Sequence, residues 1–266
     1  TTAPLSTGRE SIGGAGTQTA GLAFGGTPPT TYVGTEEYNG SGWAAGGNLN
    51  TGGYDMAGFG TQTAAFSVNR YPANAAVETY DGSSWTEGPS INTDRDQATG
   101  YGTTTAGLVS GGRPNRDIVE QWDGSSWSEV GDLNTGRSYV GGFGTSTAAN
   151  MVGPNVHEEW NNTAWTESTD MNQTRNSNMG AGTQTAGVTF GGLQSSRRAE
   201  TELWDGSAWT ETTDMSTARS RAAGSTAAPA SAAMCGSGYS TAVTTATEEF
   251  AHSILTYTPA SWATGT

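Results

Sequence analysis

Six times along the chain a carboxylate is followed two positions later by a large aromatic ring: Glu36/Tyr38, Glu78/Tyr80, Glu120/Trp122, Glu158/Trp160, Glu202/Trp204 and Glu248/Phe250. In the first five cases a Trp follows five residues after the aromatic (Trp43, Trp85, Trp127, Trp165, Trp209), and Leu255 holds that place in the sixth. The carboxylates stand 42, 42, 38, 44 and 46 residues apart, the spacing of a propeller or solenoid array. Between these landmarks the pattern has strand period. In the first copy, residues 11–16 are too rich in Gly for a helix and read as a first strand, with Thr17-Gln18 as its turn. Thr19-Ala20-Gly21-Leu22-Ala23-Phe24 alternates as a second strand and ends at Gly25-Gly26. A variable segment, residues 27–34, leads to a third strand at residues 35–38, and Trp43 opens a fourth. Asn39-Gly40 between them, repeated as Asp81-Gly82, Asp123-Gly124 and Asp205-Gly206, reads as a two-residue hairpin turn.

Four antiparallel strands in each of six units predict an all-β fold, a six-bladed β-propeller. One unit is too small to bury a core alone, so the array is a single domain. Its repeats run over residues 6–50, 51–92, 93–134, 135–172, 173–216 and 217–262. Small residues in each first strand suit the crowded ring about the axis, and the aromatics of strands three and four suit the spaces between blades. Residues 4–9 match the end of a unit, as at 89–95, and residues 255–262 can supply the last blade's fourth strand. The two termini are therefore expected to meet at one blade.

The Gly doublet after strand two, Glu-x-Tyr/Trp-Asp-Gly in strand three, the Trp of strand four and Thr-x-Arg before the next unit resemble kelch repeats. Trp122-Asp123 and Trp204-Asp205 hint at WD40 units, but no Gly-His occurs in the chain. Three departures from the kelch pattern stand out: Asn69-Arg70 and Gly153-Pro154 replace Gly doublets, and Gly53 replaces an Arg. The run Gly-Thr-Gln-Thr-Ala-Gly-x-x-Phe-Gly-Gly, at residues 16–26 and 182–192, also resembles kelch-type arrays of marine bacteriophage virion and tail-fibre proteins. That resemblance implies a virion or extracellular setting. A secreted bacterial lectin-like adhesin is the alternative, and a kelch-scaffold hydrolase or oxidase the third reading. Propellers host unrelated activities, so fold alone assigns none of them.

Composition narrows the chemistry. There is no Lys, and 11 arginines stand against 25 acids for a net charge of −14. Such a balance argues against nucleic-acid binding by phosphate neutralisation. No apolar stretch approaches the ~20 residues of a membrane span. Cys235 lies in an Ala-Ala-Met-Cys run and reads as a buried, inert thiol. His157 and His252 are the only histidines, and two His with one Cys make no metal cluster of recognisable spacing. A Tyr–Cys cross-linked copper site of the galactose oxidase kind finds only Cys235 and Tyr239, too close in sequence. Adjacent carboxylates such as Glu36-Glu37 point to opposite faces of a strand and form no acid–base pair. No catalytic residue, metal or cofactor is expected.

Residues repeated along the copies read as scaffold: the six glutamates, the five Trp residues, and the Thr-x-Arg register at Arg9, Arg95, Arg137, Arg175 and Arg219, with Gln173 in the Thr place before Arg175. The arginines and glutamates are expected to pair across strands or blades. Arg70, Arg113, Arg116, Arg197 and Arg198 fall in or beside the variable second-to-third connections, with Tyr32, Tyr71 and Tyr239 nearby. In a meander those connections share one face with the inter-blade linkers. These eight residues form the expected partner-binding set, for acidic groups of a host-surface glycan or for another virion or surface protein. Homo-oligomer formation stays open.

Overall fold

The computed structural model describes residues 2–28, 32–72, 75–154 and 156–251, and these form six antiparallel sheets with no helix among them. Blade one holds β1 (Gly13–Thr17), β2 (Ala20–Phe24), β3 (Thr35–Tyr38) and β4 (Trp43–Ala45). Blade two holds β5 (Ala57–Thr61), β6 (Ala64–Val68), β7 (Val77–Tyr80) and β8 (Trp85–Gly88). Blade three holds β9 (Thr99–Thr103), β10 (Ala106–Ser110), β11 (Val119–Trp122) and β12 (Trp127–Glu129). Blade four holds β13 (Gly141–Gly144), β14 (Ala149–Val152), β15 (His157–Trp160) and β16 (Trp165–Ser168). Blade five holds β17 (Met179–Thr183), β18 (Ala186–Phe190), β19 (Thr201–Trp204) and β20 (Trp209–Glu211). Blade six holds β21 (Ala223–Gly224), β22 (Ala232–Gly236) and β23 (Thr247–Ala251) among the described residues.

The innermost strands β1, β5, β9, β13, β17 and β21 pack each on the next, and β21 returns to β1, so the ring closes. The N-terminal segment lies on blade six: Leu5 N donates to Thr245 O at 2.8 Å and the Thr2 hydroxyl to Thr247 O. The expected fourth strand of blade six, with Leu255 and His252, falls outside the described residues.

Closure depends on small residues at the axis. Gly14, Gly58, Gly100, Gly142, Gly180 and Gly224 occupy equivalent places and together line one axial channel. A Cβ on Gly58 would lie 2.6 Å from the backbone of Gly14, and one on Gly180 2.6 Å from Gly142 O. Neighbouring blades thus approach to backbone contact, which only glycine permits. Further out, large side chains fill the wedge between blades. Trp85 meets Phe24 of blade one at 4.7 Å, Trp127 meets Phe66 at 5.8 Å and Trp209 meets Phe143 at 6.2 Å between ring centroids. Each buried Trp contributes at most about 4–6 kcal/mol of transfer free energy at 150–250 Å². Trp43 donates across the ring closure to Thr247 Oγ1 at 2.9 Å, as Trp85 does to Thr35 Oγ1.

Each repeated Glu takes an Arg: Arg9–Glu36 at 3.1 Å, Arg95–Glu120 at 2.6 Å, Arg137–Glu158 and Arg175–Glu202 at 2.7 Å, and Arg219–Glu248. The carboxylate also holds the linker entering its blade. In blade three Glu120 accepts from Asn92 N at 2.7 Å, Asn92 Nδ2 at 2.8 Å and Thr93 N at 3.2 Å. Asn50, Asn134 and Asn172 donate in the same way to Glu78, Glu158 and Glu202, while Ser6 and Ser216 do so for Glu36 and Glu248.

Blade two corrects one expectation. Arg70 is no surface residue: it is 2% exposed and its Nη2 lies 2.9 Å from Glu78 Oε1, the sixth pair of the ring. The reason is steric exchange. A Cβ on Gly53 would lie 3.0 Å from Arg70 Cδ, whereas in blade three a Cβ on Gly112 would lie 3.1 Å from Arg95 Cδ. Two facing positions have swapped Arg for Gly, and the guanidinium reaches the same carboxylate from the other side. A second expectation also changes. The Asn39-Gly40 and Asp-Gly sites are four-residue loops between paired Tyr38 and Trp43, or Tyr80 and Trp85, closed by the Asn39 or Asp81 side chain.

Replacing Arg70 with Gly leaves Glu78 buried without its cation and should cost about 3–5 kcal/mol. Adding Gly53→Arg should recover most of that loss, as read by urea unfolding. A double variant no more stable than Arg70→Gly would show that the two positions do not exchange.

Candidate functional site

The linkers entering each blade and the second-to-third connections gather on one face, and the first-to-second and third-to-fourth turns on the other. Where the linkers reach the axis, Ser11, Asp55, Gln97, Tyr139, Ser177 and Arg221 occupy equivalent places, all left-handed with φ between 51° and 58°. That conformation costs a non-glycine residue about 1–2 kcal/mol. A closed belt of hydrogen bonds holds it. Asp55 N donates to Ser11 O, Gln97 N to Asp55 O, Tyr139 N to Gln97 O, Ser177 N to Tyr139 O, Arg221 N to Ser177 O and Ser11 N to Arg221 O, at 2.5 to 3.3 Å. The backbone is six-fold here and the side chains are not.

These six residues rim a solvent-open cavity of about 120 Å³. Beneath them the next residues, Ile12, Met56, Ala98, Val140, Asn178 and Ala222, form a mostly apolar collar above the glycine-lined channel. The mouth is a polar rim over an apolar throat.

Charge at the rim is balanced. Arg113 Nη2 lies 2.6 Å from Asp96 Oδ2, Arg221 Nη1 lies 3.5 Å from Glu10 Oε2, and Gln97 Nε2 donates to Asp55 Oδ2 at 2.9 Å. Burial lifts the Asp96 and Glu10 carboxyls above their ordinary range. For Asp96 enclosure outweighs its pair, because the Arg113 head stands half in solvent. Arg113 itself is pushed upward by its bond to Asp96. Aromatic rings frame these charges: Arg221 lies 5.2 Å from the Tyr139 ring, Arg113 5.6 Å from Tyr71 and Arg197 4.1 Å from Tyr239. The Tyr54 and Tyr71 rings pack 5.2 Å apart, inclined at 47°. Burial raises the Tyr54 and Tyr139 hydroxyls.

The residues expected to bind a partner thus divide. Arg113, Arg197, Tyr71 and Tyr239 stand outside the cavity lining, in the connections next to the rim, where Tyr71 bridges Tyr54, Arg113 bridges Asp96 and Tyr239 bridges Ser220. Arg198 is half-buried and paired with Glu200 at 3.0 Å, and Arg116 is half-buried on the approach to Arg137, whose N donates to Arg116 O. Tyr32 covers the scaffold instead: Arg9 lies 4.8 Å from its ring. Arg70 is scaffold, as described above. The rim residues Asp55, Gln97, Tyr139 and Arg221 were missed by reasoning from repeats, although their one signal was legible: fixed register with changing chemistry.

His157 and Cys235 are interior. Cys235 is buried, which pushes its thiol up to about 11. His157 lies in the seam between blades four and five, with Nδ1 2.9 Å from Thr169 O and Nε2 2.8 Å from Asn150 Oδ1, edge-on to Trp204 and Trp209. Among the described residues no group of three or more His, Cys, Asp or Glu could hold a metal ion, and no helix is long and apolar enough to cross a membrane.

Closed blades, axial glycines and a polar mouth define a six-bladed β-propeller. The sequence matches no protein-family model and no curated protein. Among solved structures, one titled "Structure of YjhT" superposes with a TM-score of 0.75 over 92% of this chain and 95% of that chain, at 10% sequence identity. A likeness at that identity concerns the fold alone.

Burial dominates the His157 environment and lowers its proton affinity below the ordinary 6.5, against the opposing pull of Thr169 O, Glu159 and Asp170. A base depressed in the folded state contributes stability that is present above 6.5 and lost as pH falls. His157→Thr/Asn150→Leu restores residue types found in other blades. Its stability relative to wild type should rise as pH drops from about 7 to 5, the window below an ordinary His pKa. A pH-independent difference in unfolding free energy would contradict this.

Proposed function

We propose that this propeller is a non-enzymatic recognition module of a virion or cell surface, with the linker-and-loop face as its working face. One observation carries the reading. Six positions with one backbone geometry carry Ser, Asp, Gln, Tyr, Ser and Arg, while the Glu, Arg and Trp positions around them repeat. A scaffold needs no such diversity at its most precisely held positions, whereas a recognition surface does.

The arginine distribution supports the same face. Six arginines are consumed by the buried ring, and the other five stand among these loops or at the mouth. The opposite face ends in turns such as those at Asp81 and Asp123, whose carboxyls are held at about 2 by Ser hydroxyl and amide donors. Those turns repeat their chemistry from blade to blade. A phage tail-fibre or capsid-appendage role, through a host-surface glycan or a neighbouring virion protein, accords with the resemblance of residues 16–26 and 182–192 to phage arrays.

Adsorption to host cells tests the face. A Tyr71→Ala/Arg113→Ser/Arg197→Ser variant should lose at least tenfold in cell binding, while Thr103→Ala/Ser125→Ala on the opposite face binds as wild type. Equal binding by the two variants would move the site off this face.

A further inference from the structure

We propose that the axial mouth holds one uncharged sugar residue, whose hydroxyls donate to Gln97 Oε1 and the Asp55 carboxylate, with the Tyr54–Tyr71 pair as a flanking platform. The proposal rests on the recognition reading above and names the ligand class of that surface.

The first ground is an unmet hydrogen bond. Gln97 is 5% exposed, its Nε2 is committed to Asp55, and its Oε1 is buried without a protein partner at the cavity rim. Asp96 Oδ1 beside it is likewise enclosed without a partner. Buried acceptors are ordinarily satisfied, so these call for donors from outside the chain. Hydroxyl groups meet that need without bringing charge.

The second ground is charge balance. Glu10, Asp55 and Asp96 face Arg113, Arg197 and Arg221, three carboxylates against three guanidiniums, with two of the arginines already paired. An acidic glycan would have to displace Asp96 or Glu10 to gain Arg113 or Arg221, stranding an enclosed carboxylate, and would otherwise meet Arg197 alone, over the Tyr239 ring. Neutral hydroxyls leave both pairs intact. This replaces the expectation of an arginine-lined receptor for acidic groups.

The third ground is shape. The cavity of about 120 Å³ is smaller than the ~150 Å³ that accepts a six-membered ring in an engineered apolar site, but it is open above. One ring fits with its edge in the collar and the rest at the rim. Tyr71 is the exposed large apolar side chain of the described residues and packs at an incline against Tyr54 beside Arg113, a surface suited to the apolar face of a pyranose or of the next residue.

An array carrying neutral hexose- and N-acetylhexosamine-ended saccharides beside sialylated and sulfated ones tests this, with wild type, Gln97→Met and Thr103→Ala. Wild type should retain neutral saccharides with less than twofold change between 50 mM and 500 mM salt. Gln97→Met keeps side-chain volume and should lose at least tenfold in retention with an unchanged melting temperature, and Thr103→Ala should match wild type. Retention of acidic saccharides alone, strong salt dependence, or a Gln97→Met variant that binds as wild type would overturn the inference and leave the recognition face standing. A wild-type protein that retains no saccharide yet binds host cells through its loop face would overturn the sugar in favour of a protein partner. Loss of both activities would overturn the recognition reading as well.

Discussion

The buried carboxylate of each blade is the interaction on which the rest of this structure depends. An isolated Glu could not be enclosed at this depth, since desolvation would neutralise it. Here one side chain receives an arginine, two linker amides and an Asn or Ser side chain, so its lone pairs are filled from several directions. The guanidinium is held in turn through its two terminal nitrogens: Arg95 also donates to Thr93 O and Val109 O, while its Nε is buried without a protein partner. Burial pulls Arg9, Arg70, Arg95 and Arg175 below the usual arginine range, opposed by the paired carboxylate, and arginine keeps its charge throughout. The pair is better described as the clamp that fixes where each linker enters its blade than as a large net gain in stability.

Everything nearer the axis follows from that clamp. With the linker fixed at the carboxylate, its next few residues reach the axis in the same conformation six times, and their amides and carbonyls close the belt. The belt in turn tolerates any side chain compatible with a left-handed backbone. This separation lets one surface position carry Asp in one blade and Arg in another with no change in the ring beneath. Recognition chemistry and fold stability therefore sit on adjacent residues but on different atoms: side chains for the first, backbone for the second.

Much of the fold was legible because it repeats. The Glu-x-aromatic spacing, the strand alternation at 20–24 and the Thr-x-Arg register each map onto blades, strands and ion pairs of the structure. What escaped was of two kinds. Arg70 was read as a loop cation because it lies in the register of a Gly doublet; its pairing becomes visible only when Gly53 is set against it in space. The mouth residues escaped because aligning copies by what they share discards positions where they differ. Asn150 and His157 belong to the same class, a polar pair that replaces Leu, Phe, Val or Met against Thr or Val elsewhere and is intelligible only once their contact is seen. The hairpin loops were misjudged in length because an Asn or Asp side chain, not a two-residue backbone turn, closes them.

A double-mutant cycle at Arg95 and Glu120 tests the central claim most directly. Each of Arg95→Met and Glu120→Leu strands a buried group and should destabilise strongly, while the double variant should lose less than the sum, with a coupling energy above about 1 kcal/mol. Additive losses in urea unfolding would show that the carboxylate does not hold its linker through the arginine, and that the ring is a by-product of the fold and not its clamp.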